Sequence, residues 1–350
     1  MHRKLPSCLR GLALAITPLL PCVAHAQSQN SVIVTGVVYA GYGYQLQDTA
    51  GVNNNNFDIT RAYVNLIGKF AGNLGTRVTA DVYRNADGSL AYRLKYAYAA
   101  YTPGGKALTY KLGQIHTPWL DWEEALWDYR MQGQMALERG DQIAPRSYLS
   151  SSDFGFGVDG KWQTDRVNMQ LAVVNGENYN KAPGDQRKDL QGRVSVRLLA
   201  TNDSSRVGGL RLTSYEQLGK PSSGGTRDRF LGMLSYRSKQ ITLAGEFAAT
   251  QDSVTAGPVG KTTGHVISAF GVFHVPNPKI ALIGRVDVID PNTSTGNNTQ
   301  TRVITGASYQ LTPNLRLLAD LDHLSYEGGA PSRALEASRS TALVQAQFTF

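Results

Sequence analysis

Sixteen segments of about ten residues, each alternating apolar and polar side chains and each bounded by turn formers, constrain what this 350-residue chain can become. Successive side chains of a strand point to opposite faces, so alternation marks sheets with one apolar and one polar face. The segments fall at about 31–44, 57–70, 74–84, 90–102 and 107–115, then 153–163, 166–174, 189–199, 206–218, 228–238 and 240–251. The last five lie near 263–275, 279–290, 300–311, 314–326 and 338–350. In the second, Ala62, Val64 and Leu66 alternate with Arg61, Tyr63 and Asn65. In the last, Ala342, Val344, Ala346, Phe348 and Phe350 alternate with Leu343, Gln345, Gln347 and Thr349.

The connections alternate too. Short ones such as Ala71-Gly72-Asn73, Pro103-Gly104-Gly105, Pro276-Asn277-Pro278 and Thr312-Pro313-Asn314 are rich in turn formers. Longer ones run over 45–56, 175–188, 252–262, 291–299 and 327–337. A membrane β-barrel with tight turns at one end and long loops at the other predicts that asymmetry; a soluble sandwich does not require it. An even strand count also allows closure, which removes the exposed edges of an open sheet.

Composition narrows the environment. Mean hydropathy is −0.27, and beyond residue 26 no run approaches the ~18 apolar residues of a spanning helix. Tyr, Val, Leu and Phe recur throughout, which argues against disorder. The first 26 residues read as an export signal: Arg3, Lys4 and Arg10 form a basic start, Gly11 to Leu20 an apolar stretch, and Ala24-His25-Ala26 a cleavage site. Cleavage after Ala26 leaves residues 27–350 as a single β-barrel domain and removes both cysteines, Cys8 and Cys22. It also takes three basic residues, lowering the formal charge from +8 to +5. No block of consecutive Lys or Arg points to nucleic acid, so outer-membrane lipid is the expected surroundings. The terminal Phe350, sharing a face with Phe348, reads as an assembly signal for the machinery that inserts outer-membrane barrels.

Between segments five and six lies a connection of about 116–152, several times the usual loop length. It carries Trp119, Trp122, Trp127, Tyr129 and Tyr148, and 121–137 reads as partly helical. Large aromatics need a surface to pack against, and a barrel interior offers one.

Phe57-Asp58-Ile59-Thr60-Arg61-Ala62-Tyr63 resembles a strand of the phosphate-selective porin O and P family, with its F-x-x-x-R-A pattern. Leu112-Gly113-Gln114 running into Thr117-Pro118, Ala136-Leu137-Glu138-Arg139, Ser152-Asp153-Phe154-Gly155 and Val174-Asn175-Gly176-Glu177 are similar to further stretches of it. These matches cover about 57–177. The resemblance implies a homotrimeric outer-membrane channel: an all-β, antiparallel, transmembrane 16-stranded β-barrel whose third loop, at the ordinal position of the long connection here, folds inward. This chain is shorter than the family's best-known phosphate channels, so their substrate does not transfer with it.

Strand parity sorts the charges. With Ala62, Val64 and Leu66 facing lipid, Arg61 and Tyr63 face the lumen; with Val78, Ala80 and Val82 out, Arg77, Asp81 and Tyr83 are in. Placing Leu94, Tyr96 and Tyr98 outside leaves Arg93 and Lys95 inside, and Leu108, Tyr110 and Leu112 outside leave Lys111 inside. The expected pore lining is therefore a basic wall of Arg61, Arg77, Arg93, Lys95 and Lys111, with Arg193, Arg197, Arg211, Arg285 and Arg316 further round. Lys or Arg on the lipid face would cost about 2–4 kcal/mol at the midplane, which makes parity informative. Opposite the wall, the long connection brings Asp121, Glu123, Glu124, Asp128, Glu138 and Asp141 against Arg130, Arg139 and Arg146. Opposed charges of this kind orient dipolar solutes, and rings of Arg and Lys favour anions.

Catalytic signals are missing. The four histidines beyond residue 26, His116, His265, His274 and His323, stand singly, with no H-E-x-x-H, P-loop or nucleophile elbow. No cofactor or metal is expected. The reading is a non-enzymatic porin passing small hydrophilic solutes, preferably anions. A phosphate or other oxyanion channel and a plugged, structural or adhesive barrel are the alternatives.

Overall fold

The computed structural model describes residues 30–350 apart from 48–54, 106, 141–146, 183, 185, 222–223, 254–259, 278 and 329–337. The expected export signal over 1–26 lies outside the described residues. The strands are β1 (Ser31–Gln47), β2 (Asn55–Phe70), β3 (Leu74–Arg84), β4 (Leu90–Tyr101), β5 (Leu108–His116), β6 (Ser152–Trp162), β7 (Val167–Val174) and β8 (Asp189–Leu199). They continue as β9 (Gly209–Gly219), β10 (Thr226–Arg237), β11 (Ile241–Ser253), β12 (Lys261–His274), β13 (Ile280–Asp290), β14 (Gln300–Thr312), β15 (Leu315–Tyr326) and β16 (Ser338–Thr349). Each coincides with an expected segment to within three residues at either end.

Every strand pairs antiparallel with its sequence neighbours, and β16 returns to β1, closing a sixteen-stranded barrel. No helix among the described residues is long and apolar enough to cross a membrane. At the closing seam Gly36 and Phe350 exchange two backbone hydrogen bonds, of 2.8 and 3.0 Å. The Phe350 ring lies over Gly36 so closely that a Cβ there would come within 2.2 Å of it. A side chain at 36 would have to push that ring aside. Outward positions such as Leu66, Leu112, Phe156, Leu243, Leu282 and Phe348 are exposed apolar side chains, the face a bilayer covers.

One parity assignment needs correcting. On β4, Thr79 pairs with Tyr96 and Ala80 with Leu94, so Lys95 is an extra residue in a β-bulge. An inserted residue flips every side chain beyond it. Tyr96 and Tyr98, expected on the lipid face, therefore point inward opposite Thr79 and Arg77. A second bulge at Thr60 of β2 leaves Arg61 facing Tyr39 of β1.

The connection between β5 and β6 holds α1 (Leu120–Trp127) and α2 (Ala136–Arg139), separated by a single 3-10 turn at Arg130–Gln132. Asp121 and Glu123 in the first turn of α1 complement the positive end of the helix. Asp128 ends it in a left-handed conformation with φ 58°, a position Asn and Asp tolerate when glycine is absent. Trp119, Leu120, Trp122, Leu126 and Trp127 are fully buried. They cluster with inward residues of β9 to β13, including Tyr215, Leu231, Met233, Ala248, Val266, Phe270 and Ile283. An indole buries on the order of 200 Å², worth about 5 kcal/mol as an upper estimate.

Candidate functional site

Parity brings Arg61, Arg77, Arg93, Lys95 and Lys111 to one wall formed by β2 to β5. Asp81, fully buried, serves two of them: Arg93 at 3.0 Å and Arg61 at 3.8 Å. Lys95 donates to the Tyr63 hydroxyl at 2.9 Å. Arg77 donates to Asn65 Oδ1 at 2.9 Å and to His116 Nε2 at 3.0 Å. Lys111 pairs with Asp159.

Tyrosines interleave with these cations. Arg61 lies 5.3 Å from the centre of the Tyr63 ring, Arg77 4.7 Å from Tyr96, and Arg93 4.9 Å from Tyr83. Lys111 lies 5.5 Å from Tyr98. Such contacts hold a cation in place at about 0.5–2 kcal/mol each. Tyr96 and Tyr98 escaped the parity reading because one inserted residue leaves no mark on alternation. Tyr179, from the connection after β7, stacks on Arg93 at 4.8 Å, a long-range contact with no local signature.

The other expected lumen arginines hold structure in place. Arg193 donates to the Pro118 carbonyl at 2.9 Å and lies 4.0 Å above Trp122. Arg285 pairs with Asp287 at 2.8 Å and reaches Met135 Sδ at 3.2 Å. Arg316 donates to the carbonyl of Asp128 at 2.8 Å, where α1 leaves its last carbonyls unsatisfied. Arg237, which sequence reasoning missed, does the same at Ala125, 2.6 Å away. Arg197 sits at the short-turn rim, donating to the Thr164 carbonyl at 2.7 Å, and Arg211 donates to that of Asp165 at 2.8 Å.

The acids of the long connection take their closest partners mostly from outside the basic wall. Asp121 pairs with Arg206 at 2.7 Å. Burial raises its proton affinity, but Arg206 outweighs that and holds the carboxyl well below the usual range. Glu124 and Glu138 both bind Arg130 at 2.7 Å, and Asp128 pairs with Arg316 at 3.3 Å. Glu123 is buried facing Glu246 of β11; burial first, then that carboxylate, push it well above the usual range. Asp141 and Arg146 lie outside the described residues. Each described acid other than Glu123 has a guanidinium within reach.

The same connection presents arginine to the remaining space. A cavity of about 520 Å³ lies between its 130–139 stretch and strands β1 to β4 and β14 to β16. Among the described residues its lining carries Arg61, Arg84, Arg93, Arg130, Arg139 and Arg302 against one acid, Asp322. Arg302 grips Asp322 through two hydrogen bonds, of 2.9 and 2.7 Å, while Arg139 reaches only to 4.0 Å of the same carboxylate. Burial first, then the neighbouring Arg302 guanidinium, push Arg139 down to about 9. Parity applied to 300–311 puts Arg302 inside, so it was within reach of the sequence; Arg84, at a strand end, was not. No cluster of three or more metal-ligating side chains occurs among the described residues.

Comparison with known proteins follows this geometry. A protein-family profile described as phosphate-selective porin O and P matches residues 32–269. Among solved structures, the chain is similar to an anion-selective porin from Comamonas acidovorans, with a TM-score of 0.68 and 12% identity over 92% of this chain and 100% of that one. It is also similar to the trimer form of OmpT, an outer-membrane protein of Vibrio cholerae, at TM-score 0.61 and 10% identity, covering 92% and 99%. A mutant of the Rh. blastica porin aligns at TM-score 0.58 and 13% identity over 91% and 100%. No curated protein matches the sequence significantly.

Proposed function

This chain belongs to the phosphate-selective porin O and P family, and we propose that within it the protein is a diffusion channel for small hydrophilic solutes with a preference for anions. The carrying observation is the cavity lined by six arginines, at whose far end Arg139 and Arg302 share the single carboxylate of Asp322 among the described residues. In a confined, partly dehydrated space that imbalance lowers the energy of an anion and raises that of a cation. Family and fold point to a channel rather than an enzyme. The segment between β5 and β6 acts as the constriction, since its residues 130–139 form one wall of the cavity. The cavity beside it favours passage over a plugged, adhesive barrel. Residues 1–26 direct export, with cleavage after Ala26, and the barrel assembles as a homotrimer.

Planar-bilayer reversal potential in a potassium chloride gradient tests the reading. An anion-selective potential is expected, and Arg139→Glu should cut the chloride-to-potassium permeability ratio about thirtyfold. That figure takes roughly 0.5 kcal/mol for a unit charge across ~8 Å of water, doubled by charge reversal and doubled again because chloride and potassium respond with opposite sign. A cation-selective wild type, or a ratio unmoved by Arg139→Glu, would falsify it.

A further inference from the structure

Part of the cavity wall does not suit a small inorganic anion. Between its arginines, beside two threonines and three glutamines, stand Tyr39, Tyr83, Met131 and Leu343. Phosphate entering such a space gives up water against Met131, Leu343 and the tyrosine ring faces and gains no hydrogen bond from them, a net cost. An organic acid divides differently: its carboxylate goes to guanidinium and its carbon body covers the apolar positions. The size agrees, because about 520 Å³ falls in the range of pockets that hold organic ligands and far exceeds a single oxyanion.

The charge pattern points the same way. Arg61, Arg93 and Arg130 together meet Asp81, Glu124 and Glu138, three cations against three acids. At the far end, among the described residues, Asp322 is the one carboxylate within 4.0 Å of Arg302 and Arg139, which leaves that pair one negative charge short. One further carboxylate supplies it, in the paired geometry guanidinium favours. We propose that this cavity is a binding site for aryl and other apolar-bodied monocarboxylates, with the carboxylate at Arg139 and Arg302 and the body against Leu343, Tyr39 and Met131, in preference to inorganic phosphate. The proposal rests on the anion-preferring reading above and deepens it.

The test is block of chloride current through the purified full-length channel in a planar bilayer, with phenylacetate, acetate and inorganic phosphate as probes. Phenylacetate should half-block at a concentration at least tenfold below that of acetate or phosphate. Leu343→Gln and, separately, Met131→Gln should raise the phenylacetate value at least threefold and move the acetate value less. Heat-modifiable migration on electrophoresis verifies that each variant is a folded barrel. Phosphate blocking at or below the phenylacetate concentration overturns the proposal, as does phenylacetate block that both folded variants leave unchanged. The reversal potential of the same wild-type membranes separates the two readings. A cation-selective channel brings down the anion preference itself, whereas an anion-selective one without aryl preference brings down only the ligand assignment.

Discussion

On β2 to β5 the inward positions include Arg61, Arg77, Asp81, Arg93, Lys95 and Lys111; on β10 to β13 they include Leu231, Met233, Ala248, Val266, Phe270 and Ile283, with Glu246, Arg285 and Asp287 buried among them. Both sets hang on strands of the same barrel, and only the first resembles a wall open to water. The second is covered by α1, whose indoles turn that half of the lumen into a core. Arginines mark the border between them: Arg193, Arg237 and Arg316 leave the wall to grip carbonyls at Pro118, Ala125 and Asp128. The difference shows that a β-barrel interior need not be uniformly wet. Packing one half with the long connection confines the aqueous space to the other, where the arginines concentrate.

The firmest challenge to this division is Trp127→Ala. Trp127 is fully buried, with its ring 5.5 Å from Phe270 and 5.8 Å from Tyr129. Emptying that site should cost about 3–5 kcal/mol and lower the unfolding midpoint in denaturant. It should also make single-channel current noisier as α1 loses its seat. Unchanged unfolding and quiet current would mean that the packed half is not what holds the connection.

A middle-sized effect comes from Glu123, buried on α1 against Glu246 of β11, with Arg285 and Asp287 of β13 close by. Burial and then the facing carboxylate raise its pKa, so the folded protein keeps a proton that the unfolded chain releases above about 4.5. Its stabilising share is complete below that value and declines as pH climbs towards the folded-state value. Unfolding midpoints measured from pH 4 to 9 should therefore fall in the wild type, and Glu123→Gln should flatten the decline. A wild-type curve no steeper than the variant's would remove the pair from the account.

The smallest effect belongs to Arg206→Ala. The pair with Asp121 is short, but the Arg206 side chain is 42% exposed, so solvent screens it. A loss of about 0.5–1 kcal/mol is expected from the same unfolding measurement. A loss as large as that of Trp127→Ala would shift the anchoring of α1 from packing to charge.

Much of this was legible beforehand, for a physical reason. Alternation survives averaging because one face must meet lipid and the other must not, so all sixteen strands could be placed from Ala62-Tyr63-Val64 patterns alone. The basic wall followed by parity. Tyr96 and Tyr98 did not, because the bulge at Lys95 inserts a residue that alternation cannot reveal. The apolar half was partly visible: Ala269 to Phe273 and Ile280 to Gly284 are apolar on both faces, as strands buried on both sides read. Taking every inward position as lumen hid that signal.

By itself, the sequence determined the barrel, its strand order and which strands carry charge inward, since period-two patterning and turn chemistry are local. Only the tertiary structure decided which charges remain unspent. Asp121, Glu124 and Glu138 looked like a field across the channel, yet each meets a guanidinium brought near by folding, one of them, Arg206, from 85 residues away in the chain. Electrostatic energy depends on separation in space, which strand parity constrains in direction but not in distance.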